Sequence, residues 1–142
     1  MKKILALAVC GFALALTGCA QAPVVSATYQ PAQPAILQHA VQPISAEEAR
    51  IMMAEVDEFV LLDVRTEHEF NAQRIAGSIL IPYDEIPARA EAELTDKDAV
   101  ILVYCRSGQR SAMAASALVG LGFTNVYDFS GIINWPYETI CC

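Results

Sequence analysis

The stretch Val100-Ile-Leu-Val-Tyr-Cys105-Arg106-Ser107-Gly108-Gln109-Arg110-Ser111 decides the fold. An apolar, largely β-branched run stops at a cysteine, and a polar loop with one glycine and two arginines follows. Ala112-Met-Ala-Ala-Ser-Ala-Leu-Val-Gly-Leu121 then supplies helix formers. The pattern predicts a buried strand, a loop, and a helix whose first turn faces back toward Cys105. Unpaired N–H groups at a helix start attract anions and favour a thiolate over a thiol, so Cys105 is the candidate nucleophile.

Working outward, the flanks repeat the alternation of strand and helix. Upstream, Glu58-Phe59-Val60-Leu61-Leu62-Asp63-Val64-Arg65 is a nearly continuous apolar run closed by a charged pair. Such a run fits a strand buried on both faces, as in a parallel sheet. Ser45-Ala-Glu-Glu48 and Thr66-Glu-His-Glu69 are capping boxes. They predict a helix to Glu55, with Met52 and Met53 as core filler, and a shorter helix to about Arg74. Ile75-Ala-Gly77-Ser78-Ile-Leu-Ile-Pro82 gives a turn, a short strand and a stop at the proline. Residues 83–94 read as short helical turns interrupted by Pro87. Downstream, Gly122 caps the helix after the cysteine loop. Asn125-Val-Tyr-Asp-Phe129 is a last strand, and Gly131-Ile-Ile-Asn-Trp135 begins a final turn. Together these predict a three-layer α/β domain with a small, mostly parallel central sheet flanked by helices. In such sheets sites lie at the carboxyl ends of strands, where Cys105 falls.

The first residues inflate the 55% hydrophobic content of the 142-residue chain. Lys2 and Lys3 precede an apolar run over residues 4–16, followed by Leu16-Thr17-Gly18-Cys19. The run is short for a membrane span and fits an export signal. The tetrad resembles a bacterial lipobox. That resemblance implies cleavage after residue 18 and a lipid on Cys19. With Ala20 and Gln21 following, it also implies a protein anchored in the cell envelope and facing the periplasm, at the outer rather than the inner membrane. The expected organisation is a signal peptide over 1–18, a lipidated N-terminus and linker over 19–43, rich in Pro, Ala and Gln, and the folded domain over 44–142. Loss of Lys2 and Lys3 leaves seven basic against sixteen acidic side chains, a formal charge of −9. That balance excludes a basic nucleic-acid footprint.

Of the five cysteines, Cys10 leaves with the signal and Cys19 takes the lipid, leaving Cys105 and the pair Cys141-Cys142. A disulfide between Cys105 and the tail is the alternative to a free nucleophile in an oxidising compartment. No histidine has a second ligand at metal spacing, and neither a metal nor a cofactor is assigned. His39 belongs to the linker and His68 to an exposed helix surface.

Three stretches in order resemble the rhodanese (sulfurtransferase) domain: Leu62-Asp63-Val64-Arg65-Thr-Glu-His-Glu69-Phe70, Ile75-Ala-Gly77-Ser78-Ile-Leu-Ile-Pro82 and Cys105-Arg-Ser-Gly-Gln-Arg110-Ser111. Gly131 and Trp135 fit its C-terminal pattern. The resemblance implies thiosulfate sulfurtransferase chemistry. Cys105 takes the outer sulfur of a small anionic donor as a persulfide, and a thiol or cyanide acceptor removes it. It implies that Arg106, Ser107, Gly108, Gln109, Arg110 and Ser111 form the substrate-binding loop, with the arginines holding the anion and lowering the thiol pKa. Asp63 and Arg65 are supporting residues that brace the loop, with Glu69 as a partner. Trp135 is a wall or core residue rather than a binding platform. A monomer is expected. The sequence departs from the family at Gln73-Arg74, where Gly-His is frequent, and at Ile132, where a second glycine is frequent.

Two rivals are distinguishable. Tyrosine phosphatases resemble this loop but place five residues between cysteine and arginine. Here Arg110 follows Cys105 after four, and position 111 is serine. The shorter loop suits a sulfur atom better than a phosphate. A non-catalytic or redox thiol-binding module on the envelope is the other rival, motivated by Cys141 and Cys142.

Overall fold

The computed structural model describes residues 39–141; the expected signal peptide with Cys10, the expected lipidation site Cys19, the expected linker up to residue 38, and Cys142 lie outside them. Five parallel strands form one sheet in the order β1-β5-β4-β2-β3. They are β1 (Gln42–Pro43), β2 (Phe59–Asp63), β3 (Ile79–Leu80), β4 (Val100–Cys105) and β5 (Asn125–Gly131). The helices are α1 (Ala46–Glu55), α2 (Glu67–Ala72), α3 (Ile86–Glu93) and α4 (Gln109–Gly120), and a 3-10 turn spans Ile132–Asn134.

The central strand β4 explains the layering. Ile101, Val103 and Cys105 point to one face, where α3 and α4 bury Ile86, Ala90, Ala114, Ala115 and Leu118. Leu102 and Tyr104 point to the other, against Ala49, Met52 and Met53 of α1. The period-two alternation of a strand thus feeds two separate apolar cores, giving the three layers the sequence predicts. Tyr104 is buried with its hydroxyl satisfied. It accepts from the Ile75 N–H at 3.2 Å and donates to Ser78 Oγ at 3.1 Å.

Both capping boxes form. The Glu48 N–H donates to Ser45 Oγ at 3.1 Å and the Ser45 N–H to Glu48 Oε2 at 2.7 Å. Thr66 and Glu69 do the same at 3.3 and 3.1 Å. The structure corrects several boundaries. Residues 86–93 form one helix rather than interrupted turns. Pro87 sits in its first turn, where a missing N–H costs nothing. Helix α4 starts at Gln109, three residues before the run of helix formers, with Gly108 as N-cap at φ +104°. Strand β5 runs on to Gly131. Strand β1 was not expected; it pairs Gln42 and Pro43 with Tyr127 and Asp128 at the sheet edge.

One irregularity positions the site. The pairing of β4 with β5 runs in register to Val103 and Asp128, then shifts so that Cys105 faces Gly131. The extra residue on β5 is absorbed at Ser130, which adopts φ +73° and takes Asp128 Oδ1 as acceptor for its N–H at 2.9 Å. This bulge turns the end of β5 toward the loop after Cys105.

Candidate active site

Cys105 ends β4 with 1% of its surface exposed. The Gly108 N–H donates to its Sγ at 3.1 Å. Burial pushes the thiol pKa up, but the N–H groups of Ser111, Gly108 and Ser107 and the Ser111 hydroxyl outweigh it, and the net direction is down. The amides and one hydroxyl are therefore the leading cause of the lowering, as the helix-start pattern of the sequence suggests, and the arginines are not among its main causes.

The loop is fastened from behind. Ser111 Oγ lies 2.9 Å from the Gly108 carbonyl and 3.1 Å from that of Ser130. The Ile133 N–H donates to the Arg106 carbonyl at 3.2 Å. At Gly131 a side chain has no room, since a Cβ there would stand 2.3 Å from the Arg106 carbonyl oxygen.

The two arginines separate. Arg110 forms a bidentate pair with Glu69, Nη1 to Oε2 at 2.7 Å and Nη2 to Oε1 at 2.8 Å. This pairing, assisted by the Thr66 cap and opposed by burial, holds the Glu69 carboxyl down at about 2. Glu69 thus joins the α2 cap to the cysteine loop, rather than joining the Asp63–Arg65 pair. Arg106 is exposed and lines a cleft of about 310 Å³ with Arg65, His68, Glu69, Ala72, Gln73, Ile132 and Ile133. Gln109 and Ser107 are exposed at the loop rim. A larger cleft of about 600 Å³ lies between α1 and residues 135–138, away from Cys105. Trp135 stacks on Phe129 at 5.5 Å and forms one wall of that cleft.

Asp63 and Arg65 are buried together. Arg65 Nη2 meets Asp63 Oδ2 at 2.6 Å and also donates to the Gln73 carbonyl. Arg65 therefore ties the end of β2 to the segment after α2, which forms one side of the cleft. The sequence reading missed His68, Gln73, Ile132 and Ile133 as cleft residues, and Ser130 as the hinge behind the loop. The Ser130-Gly131 pair carried a turn signal that could have flagged it. Cys105 and Cys141 are both free thiols. No helix among the described residues is long and apolar enough to cross a membrane.

A parallel α/β domain with a buried thiol in an amide-lined loop at a strand's carboxyl end defines a class of protein. The chain belongs to the rhodanese-like domain family, whose pattern matches residues 45–135. It is 34% identical over 96 residues to a sulfurtransferase of Allochromatium vinosum, spanning 67% of this chain and 88% of that protein. The thiosulfate sulfurtransferase PspE of Escherichia coli strain K12 is 31% identical over 71 residues, 50% of this chain and 68% of that one. The solved structure of a rhodanese with anions from E. coli is similar at TM-score 0.55 and 26% identity, covering 58% of this chain and 98% of that one.

The source of the lowered thiol pKa is open to test. In Ser111→Ala the pH midpoint for iodoacetamide alkylation of Cys105, followed peptide by peptide, is expected to rise, and alkylation at neutral pH to slow several-fold. An unchanged midpoint would assign the lowering to the amides alone.

Proposed function

We propose that the chain is a sulfurtransferase that carries a sulfane sulfur on Cys105 from a donor such as thiosulfate to a thiol or cyanide. The observation that carries this reading is the buried Cys105 Sγ at the carboxyl end of β4, which accepts the Gly108 N–H at 3.1 Å at the start of α4, with the Ser107 and Ser111 N–H groups helping to lower its pKa. In the first step the Cys105 thiolate attacks the outer sulfur of the donor. The donor's S–S bond breaks, sulfite leaves with the electron pair, and Cys105 becomes a persulfide. The converging amides suit the anionic outer sulfur, and their dipoles are in place before the charge arrives. Arg106, free on the cleft wall, supplies positive charge for the donor's oxygens, while Arg110 is held by Glu69 as a loop brace with part of its charge facing the thiol. In the second step an acceptor nucleophile attacks the outer sulfur and Cys105 leaves as thiolate. The relatives named as sulfurtransferases support the same chemistry. We place this activity in the cell envelope on a Cys19 lipid anchor, on the strength of the residue 1–19 pattern.

The experiment is direct. The reduced full-length chain is incubated with thiosulfate, weighed intact, and then given cyanide. The expected result is a gain of one sulfur atom by the intact chain and thiocyanate turnover, both lost to background in Cys105→Ala. Phosphate release from an aryl phosphate with no sulfur gain would replace this reading by the phosphatase one.

A further inference from the structure

We propose that Cys141 is an internal acceptor for the sulfur carried by Cys105, so that the tail relays it from the buried loop to the surface. The proposal rests on the sulfurtransferase reading and adds the identity of the first acceptor.

The tail does not leave the domain at the end of the 3-10 turn. It folds back on the segment following α2. Gln73 Nε2 donates to Thr139 Oγ1 at 2.9 Å. Arg74 and Ile140 form an antiparallel bridge, exchanging N–H to carbonyl bonds of 2.8 Å in both directions. In an antiparallel pair, one step forward on one chain meets one step back on the other. The register that sets Ile140 against Arg74 therefore carries Cys141 toward Gln73. Gln73 is a cleft residue, and it shares the cleft with Arg106, the neighbour of Cys105. Its carbonyl is held by Arg65, so the docking strip for the tail is itself braced from the core. Cys141 is a free, exposed thiol. A residue spans up to about 3.5 Å, so Cys141 lies within one residue's reach of the anchored Ile140. Docking of Ile140 on Arg74 makes the proposed transfer intramolecular, with an effective concentration of order millimolar.

The step balances without any further reactant. The Cys141 thiolate attacks the outer sulfur of the Cys105 persulfide. A Cys141 Sγ–S bond forms, the Cys105 Sγ–S bond breaks, and its electron pair leaves on Cys105 Sγ. The amides that stabilise that thiolate make Cys105 the better leaving group, which favours transfer outward. Attack on the inner sulfur is disfavoured because Cys105 Sγ is enclosed by the loop.

The test uses the full-length chain, loaded with thiosulfate, quenched with an alkylating agent and digested for mass spectrometry. Wild type is expected to carry the extra sulfur on Cys141, as is Cys142→Ser. Cys141→Ser is expected to keep it on Cys105. Thr139→Val, which loosens the tail anchor, is expected to slow arrival at Cys141 several-fold with Cys105 loading unchanged. Sulfur that reaches Cys105 and never Cys141 overturns the relay and leaves the sulfurtransferase reading standing. No sulfur on Cys105 even in Cys141→Ser overturns the sulfurtransferase reading itself. Sulfur on the tail of Cys105→Ala would mean direct capture from the donor, and a Cys105–Cys141 disulfide with released sulfide would mean attack on the inner atom; either overturns the relay. Mixing isotope-labelled Cys105→Ala with unlabelled Cys141→Ser separates the remaining case. Sulfur appearing on the labelled tail at the wild-type rate would make the transfer intermolecular and overturn the internal route.

Discussion

Asp63→Ala is expected to lose about 3–5 kcal/mol of folding stability, the cost of leaving one member of a buried ion pair without its partner. Asp63 is fully buried and Arg65 is 4% exposed, so water cannot take over the missing acceptor. The carboxylate serves the guanidinium three times, with Arg65 Nε at 2.9 and 3.0 Å from its two oxygens and Nη2 at 2.6 Å. It also accepts the Arg65 backbone N–H at 2.9 Å. After truncation the cation keeps only the Gln73 carbonyl among these partners. The expected measurement is a fall in the denaturant midpoint at neutral pH with an unchanged slope. The double variant Asp63→Ala/Arg65→Met is expected to recover part of the loss, because the uncompensated charge is gone. A loss below about 1 kcal/mol in the single variant would mean that water reaches the guanidinium and that the pair is not buried in solution. The second pair near the site behaves differently. Arg110 and Glu69 are 26% and 24% exposed, and a pair open to water is worth about 1 kcal/mol or less. Its role is to orient the loop more than to hold the fold.

The parts of the fold legible in the sequence are those whose signal is local and carried by side chains. Strand β4 and its cysteine announce themselves because burial on both faces requires an unbroken apolar run, and the run stops where the loop begins. The two capping boxes are legible because each helix start satisfies its own N–H groups with a residue three positions on. The elements that were misread depend on backbone partners far away in sequence. Strand β1 is two exposed residues held by pairing with β5, and nothing in Gln42 or Pro43 reports that pairing. Pro87 reads as an interruption when the helix start is unknown, and as a favourable first-turn residue once the helix begins at Ile86. Helix α4 begins three residues early because Gly108 can adopt a left-handed conformation at its start.

The candidate site shows the same division. The candidate nucleophile Cys105 and the loop 106–111 stand out from residue types alone. What each charged residue does was not. Arg106 and Arg110 look equivalent in sequence, yet Glu69, forty-one residues upstream of Arg110, captures one and leaves the other on the cleft wall. The departures at Gln73 and Arg74 are where the tail docks, a contact between residues far apart in sequence. The Ser130-Gly131 pair signals a turn, but the positive φ at Ser130 follows from the register between β4 and β5, which the sequence does not report.

Gly131→Ala is expected to lower kcat/KM for sulfur transfer by about 100-fold or more and to cost about 1–3 kcal/mol of stability. Space alone sets the effect. Gly131 has φ −137°, an extended conformation that alanine adopts freely. The added Cβ would stand 2.3 Å from the Arg106 carbonyl oxygen and 2.6 Å from Ser107 Cα, which are backbone atoms that cannot rotate aside. The loop must therefore move outward, and two things move with it. The Ile133 N–H loses its 3.2 Å bond to the Arg106 carbonyl. The Ser107 and Gly108 amides shift away from Cys105 Sγ, so the thiol pKa rises and the persulfide loses donors. Gly108→Ala is the control. There the φ of +104° costs an L-residue about 1–2 kcal/mol, but the nearest atom to the new Cβ is Ser130 Oγ at 2.6 Å, the end of a side chain that can turn. Adding Ser130→Gly to Gly108→Ala is expected to restore part of the activity, because it removes the obstructing hydroxyl and eases the positive φ of residue 130. Adding it to Gly131→Ala is expected to restore none, because the clash there is with Arg106 and Ser107. Rescue of Gly131→Ala by Ser130→Gly would show that strain at the bulge, and not the close approach of β5 to the loop, sets the position of the amides around Cys105.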